Sequence, residues 1–118
     1  MSAFKTYKGD RLDLDHYKAK TINDFEILVY EDDGTDKDLS VYDDIKIEVF
    51  EKIHGTRVLS FDFQGGVPTD SPAGNSIYWY ATYSQTNIRP KFYWHECWGS
   101  IGSGVKRELI FQGVSTVI

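Results

Sequence analysis

The chain is poor in the features that most often announce a function. It has one cysteine, Cys97, among 118 residues, so an internal disulfide is excluded. None of Asn23, Asn75 and Asn87 opens an Asn-x-Ser/Thr sequon. Both absences fit folding in a reducing cytosol. No stretch nears the roughly 18 uninterrupted apolar residues of a membrane helix, and Met1 to Asp10 contains no apolar leader core, which predicts a soluble, unprocessed chain with no membrane partner. Positive charge is also scarce. Thirteen Lys and Arg stand against 18 Asp and Glu, giving a net charge of -5, and phosphate binding draws on clustered cations, so no nucleic-acid partner is expected. Helical periodicity is missing at any length. No internal repeat or linker divides the chain, and one domain over 1–118 is the expectation.

What remains is alternation. Aromatic residues reach 15% and apolar residues 41%, a composition that favours strands around one core. Phe25, Ile27 and Val29 share one face of a strand over 24–30 that stops at Asp33-Gly34. Ile45, Ile47 and Val49 alternate with Lys46 and Glu48, and His54-Gly55 returns the chain into Leu59, Phe61 and Phe63, a hairpin. Gln64 to Asn75, rich in Gly, Pro, Ser and Asp, reads as a long surface loop. A strand over 77–83 is aromatic on both faces, and after Pro90 a strand runs from Phe92 to Trp98, with Glu96 where an inward apolar residue is expected. Gly99 to Gly104 reads as a hairpin connection. Segments 106–112 and 114–118 close the fold around a bulge at Gly113, and Phe4 to Leu14 forms an edge strand. The pattern predicts an all-β, antiparallel, two-sheet sandwich.

Each candidate for chemistry falls short of a complete set. The acidic run Glu31 to Asp38 suggests a calcium loop, but aligning Gly34 with the EF-hand glycine puts Val29 and Ser40 at ligand positions. His95 and Cys97 share a strand face and supply two zinc ligands at most, with nothing in the spacing to bring His16 or His54 to them. Cys97 has no positioned base and no Gly-x-Ser-x-Gly elbow exists. The glycines from Gly99 to Gly104 lack the third glycine and following helix of a phosphate loop. Accordingly no catalytic residue, metal or cofactor is assigned, and the chain reads as non-enzymatic.

The order of signals carries more than any one of them. Tyr7-x-Gly9-Asp10, Asp33-Gly34 followed by Asp38-Leu39-Ser40, and a central hairpin come first. Ser84-Gln85-Thr86, the aromatic Phe92-Tyr93-Trp94, and Leu109-Ile110-x-x-Gly113-x-x-x-Val117 follow. In this order the chain resembles the immunoglobulin-like domain of bacteriophage tail and baseplate proteins, the kind that opens upper baseplate proteins. The resemblance implies an immunoglobulin-like sandwich in a virion structural protein of the tail, baseplate or head–tail junction. Such a protein is made in the host cytoplasm and docks to other virion proteins. Apolar strands at a chain end call for cover, so a homo-oligomer or a symmetric assembly is expected, with Tyr78, Tyr80, Leu109, Phe111, Val117 and Ile118 as interface candidates. The alternative is a carbohydrate-binding or host-surface-binding module in which Tyr78, Tyr80, Tyr83, Tyr93, Trp94 and Trp98 form a platform for sugar rings.

Overall fold

The computed structural model describes residues 2–18, 22–63 and 74–118, and these fold as a two-sheet β-sandwich. The smaller sheet has the order β1-β4-β7, with β1 Ser2–Tyr7, β4 Ile22–Tyr30 and β7 Ser76–Thr82. The larger runs β2-β9-β8-β5-β6, with β2 Asp10–Arg11, β5 Asp44–Phe50, β6 Arg57–Phe63, β8 Phe92–Ile101 and β9 Lys106–Val117. A further short strand, β3 Leu14–His16, also pairs with β9. Neighbours β1-β4-β7 and β5-β8-β9 give the two sheets the strand order of an immunoglobulin-like sandwich.

The sheets are mixed, which corrects the purely antiparallel expectation. β1 runs parallel to β4, and β2 and β3 run parallel to β9. The cause is the N-terminal segment, which changes sheets instead of forming one edge strand. Lys8 N–H donates to Tyr30 O of the smaller sheet, and Gly9 N–H donates to Ile110 O of the larger. Gly9 permits that change of direction because its φ of 82° lies where side chains are strained.

The core lies between the sheets. Ile27 and Val29 of β4 and Ile77, Trp79 and Ala81 of β7 pack against Ile45, Ile47 and Val49 of β5, with Phe61, Tyr93, Cys97 and Phe111 beside them. Each buried Ile contributes about 1.5–3 kcal/mol. The predicted hairpin forms, with Ile47 opposite Phe61. Trp79 is fully buried and central, its ring between those of His16, Phe61 and His95 at 4.9, 5.5 and 5.3 Å.

Four local expectations change. Tyr83 lies outside its predicted strand because Thr82 caps a one-turn helix, α1 Tyr83–Thr86, in a capping box with Gln85. β8 continues through Gly99 to Ile101, and the turn proper begins at Gly102. Gly99 keeps its place in the strand by leaving room for Tyr42, whose ring a Cβ would meet at 2.5 Å. Residues 106–117 form one strand, and the bulge falls between Phe111, opposite Cys97, and Leu109, opposite Trp98. Ile110 is thus the extra residue, and Ile110 and Phe111 both turn inward. Gly113 serves a different need, since a Cβ there would lie 2.6 Å from the Leu12 carbonyl carbon. Of the predicted loop 64–75, only Gly74 and Asn75 belong to the described residues, where they form a turn.

Candidate functional site

The outer face of the larger sheet carries a row of aromatic residues at period two along β8. Tyr93, His95 and Cys97 point inward, so by alternation Phe92, Trp94, Glu96 and Trp98 belong to the outer face, where Trp94 is covered to 9% exposure. This register explains why position 96 carries a glutamate instead of an inward apolar residue. Its carboxylate joins the two indoles: Trp94 Nε1–H donates to Oε2 at 3.1 Å and Trp98 Nε1–H to Oε1 at 2.9 Å. Arg107 lies over Trp98 at 4.4 Å and Arg11 over Trp94 at 5.8 Å, geometries in which a cation is attracted to the ring face. Glu48 accepts from Arg57 at 3.1 Å and pairs with Arg107 at 3.5 Å. These interlocked groups hold the aromatic row in fixed rotamers.

At one end of that row the surface opens into a groove of about 420 Å³ lined by Arg11, Lys52, Ile53, Phe92, Trp94 and Val114. Phe92 is 72% exposed and Ile53 53% exposed. Lys91 and Glu51 form an ion pair beside it. Paired apolar side chains left open with a charged rim are the surface feature that marks protein docking sites.

The smaller sheet presents a second aromatic feature. Tyr78 and Tyr80 lie on the outward face of β7, their rings 6.4 Å apart and within 12° of parallel. Across the sheet they face Glu26 and Asp24 on β4, and a hydrogen bond to the Glu26 carboxylate raises the pKa of Tyr78. The aromatic residues proposed for a sugar platform therefore do not share one plane. Tyr93 is in the core, Trp94 and Trp98 belong to the larger sheet, and Tyr83 is exposed on α1.

The six interface candidates also separate. Tyr78 and Tyr80 reach the surface, Ile118 is exposed beyond the end of β9, and Leu109 is partly covered. Phe111 and Val117 are in the hydrophobic core, because the bulge at Ile110 turns Phe111 inward and Val117 follows with the same parity. β9 itself is covered on both edges, by β8 on one side and by β2 and β3 on the other.

Among the buried groups, the structure brings His16 to His95 through Ser115. Ser115 Oγ lies 2.6 Å from His95 Nδ1 and 3.1 Å from His16 Nε2, while His95 Nε2 lies 2.7 Å from Leu12 O. A carbonyl only accepts, so His95 carries its proton on Nε2 and its Nδ1 accepts from the Ser115 hydroxyl. The Ser115 oxygen then accepts from His16 Nε2–H. Burial pushes both imidazoles down to about 4, so both are neutral at neutral pH. Cys97 is fully buried, and burial raises its thiol well above the ordinary value, which suppresses nucleophilicity. His54 sits apart from this group, in the β5–β6 turn, with φ 60°. Among the described residues no three of His, Cys, Asp and Glu come close enough to hold a metal ion. The acidic run is a set of turns in which Asp33 accepts from Thr35 and Asp38 from Ser40.

Sequence reasoning missed the Ile53–Phe92 groove and the histidine chain. The parity of β8 was the available signal for the first, since Tyr93, His95 and Cys97 inward leaves Phe92 outward. Comparison with protein-family models and with curated proteins finds no match for this chain.

Proposed function

We propose that this protein is a non-enzymatic structural component of a bacteriophage virion, at the tail, baseplate or head–tail junction, which docks to other virion proteins through the outer face of its larger sheet. The observation that carries the docking reading is the Ile53–Phe92 groove: two large apolar side chains, 53% and 72% exposed, beside an aromatic row fixed by Glu96. Rigid aromatic and apolar anchors with a polar rim lose little conformational entropy on association, which suits assembly interfaces. The virion context rests on the resemblance of the residue order to phage tail and baseplate immunoglobulin-like domains. The test is a double variant, Phe92→Ser with Ile53→Ser, introduced into the phage that encodes the chain. Both side chains are exposed, so the melting temperature should stay within about 2 °C of wild type while incorporation into particles falls. Normal incorporation of the double variant removes this face from the interface.

A second reading, carbohydrate binding, is favoured by the parallel Tyr78 and Tyr80 rings beside Glu26 and Asp24, since ring faces stack on sugar C–H groups and carboxylates accept from hydroxyls. Calorimetric titration with bacterial polysaccharides distinguishes it. Heat of binding that is lost in Tyr80→Ala supports this reading, and no heat with any polysaccharide rejects it.

A further inference from the structure

The N-terminal segment Asp10–His16 is held on the sandwich unusually. It pairs with β9 through only two residues in β2 and three in β3. Between those short pairings Leu12 N–H donates to Gln112 O at 2.7 Å, and side chains add to the backbone bonds: Leu12 O accepts from His95, Asp13 Oδ1 accepts from Val114 N–H at 2.8 Å, and His16, in β3, donates to Ser115. The imidazole that bonds Leu12 reaches, through its other nitrogen, the same buried serine that His16 contacts. We propose that Asp10–His16 is an acid-released strap, fastened to β9 by the His16–Ser115–His95 chain while both imidazoles are neutral and let go when they take up protons.

The chemistry follows from the tautomers. The free lone pair of His95 is on Nδ1, and protonation there turns an acceptor into a donor aimed at Ser115 Oγ from 2.6 Å. Ser115 then receives N–H groups from two sides and its own hydroxyl proton loses its acceptor. Protonation of His16 places a charge in a buried site packed against the Phe25 and Trp79 rings, at 5.1 and 4.9 Å, where water cannot solvate it. From β4 and β7 the facing groups are those two rings, and from β9 they are Ser115 and the Phe111 ring. The nearby charged groups are on the strap: Asp13, which favours the His95 cation, and Arg11, which donates to Asp13 at 2.9 Å. The Leu12 carbonyl and the Asp13 charge both favour the His95 cation, and burial, aided by the neighbouring His16, outweighs them. Release therefore comes from the cost of burying the charge and from the clash at Ser115, against the bond to Leu12. Lifting the strap relieves both imidazoles, since it carries away His16 and opens His95 to water. It also uncovers the β9 edge, whose free N–H and C=O groups then pair with an added strand.

Hydrogen exchange read by mass spectrometry at pH 7.5 and 4.5, corrected for intrinsic rates, tests this in the full chain. The expected result is a loss of protection at pH 4.5 that is at least about tenfold greater in peptides covering 10–16 and 111–117 than in peptides covering 45–49, which follow only the global fall in stability. Equal loss of protection in all three, or loss in none, overturns the proposal. His16→Gln and His95→Gln should each lessen the pH effect. If either variant fails to fold, imidazole nitrogen NMR on wild type decides: proton on Nε2 of both rings and no titration above pH 5 supports the strap. Titration of either buried ring near 6.5 in the folded state overturns it.

Discussion

Replacing Gly113 with alanine tests the packing of the N-terminal segment, because two ordinary effects have opposite signs there. Glycine inside a strand costs roughly 0.5–1 kcal/mol relative to alanine, so propensity alone predicts stabilisation. The structure predicts the reverse. A Cβ on Gly113 would overlap Leu12 O, lie 2.6 Å from the Leu12 carbonyl carbon and come within 2.8 Å of Asp13 Oδ1. The obstruction is backbone, so the strap must shift. Leu12 O then moves away from His95 Nε2, and an unpaired buried N–H costs about 1–3 kcal/mol. Overpacking adds about 1–3 kcal/mol. Together these give roughly 2–6 kcal/mol, which exceeds the propensity gain of about 0.5–1 kcal/mol and is a large share of the 5–15 kcal/mol typical of a domain. For a chain of this length that corresponds to a fall in melting temperature on the order of 10–20 °C. The assay is thermal unfolding by circular dichroism, with Gln112→Ala, on the opposite face of β9, as the control. A melting point for Gly113→Ala within about 2 °C of wild type, or above it, would refute the crossing of Leu12 over β9.

Three further outcomes are expected. Glu96→Gln keeps the shape but presents an N–H₂ to one of two indole donors, so urea unfolding should show a loss of about 1–2 kcal/mol with a red shift in tryptophan emission; unchanged stability contradicts the bridge. Gly99→Ala should destabilise and displace the Tyr42 ring, checked by the loss of the Tyr42–Glu108 bond in a crystal structure. Between about pH 6.5 and 4 the unfolded chain binds protons that His16 and His95 refuse in the fold, so stability falls as the pH drops through that window. At pH 5 the loss is about 2 kcal/mol per imidazole, and urea titrations at pH 7.5 and 5 that give equal stabilities would contradict it.

The parts of the fold that could be read from the sequence are those written in long alternation. Ile45, Ile47 and Val49 against Leu59 and Phe61 specify a face and a turn, and both agree with the structure, which adds the register. The N-terminal sheet change is different. Pairings of two and three residues are too short to show a period, and Gly9 resembles any turn glycine. The bulge at Ile110 was hidden because two adjacent apolar residues, Ile110 and Phe111, suit either parity, so Gly113 drew the assignment instead. The histidine chain joins residues nearly a hundred positions apart, and Ser115 shows its inward parity only once Phe111 and Val117 are known to be core. The exposed groove depends on the β5–β6 turn lying beside the start of β8, which no local pattern encodes.

The central claim is that the chain works as a docked virion component, and cross-linking mass spectrometry on purified particles tests it most directly. Lys52 lines the groove and Lys91 adjoins Phe92, so an amine-reactive linker should join one or both to lysines of another virion protein. Particles that lack the chain, together with light scattering that finds only monomer at high concentration, would contradict the account.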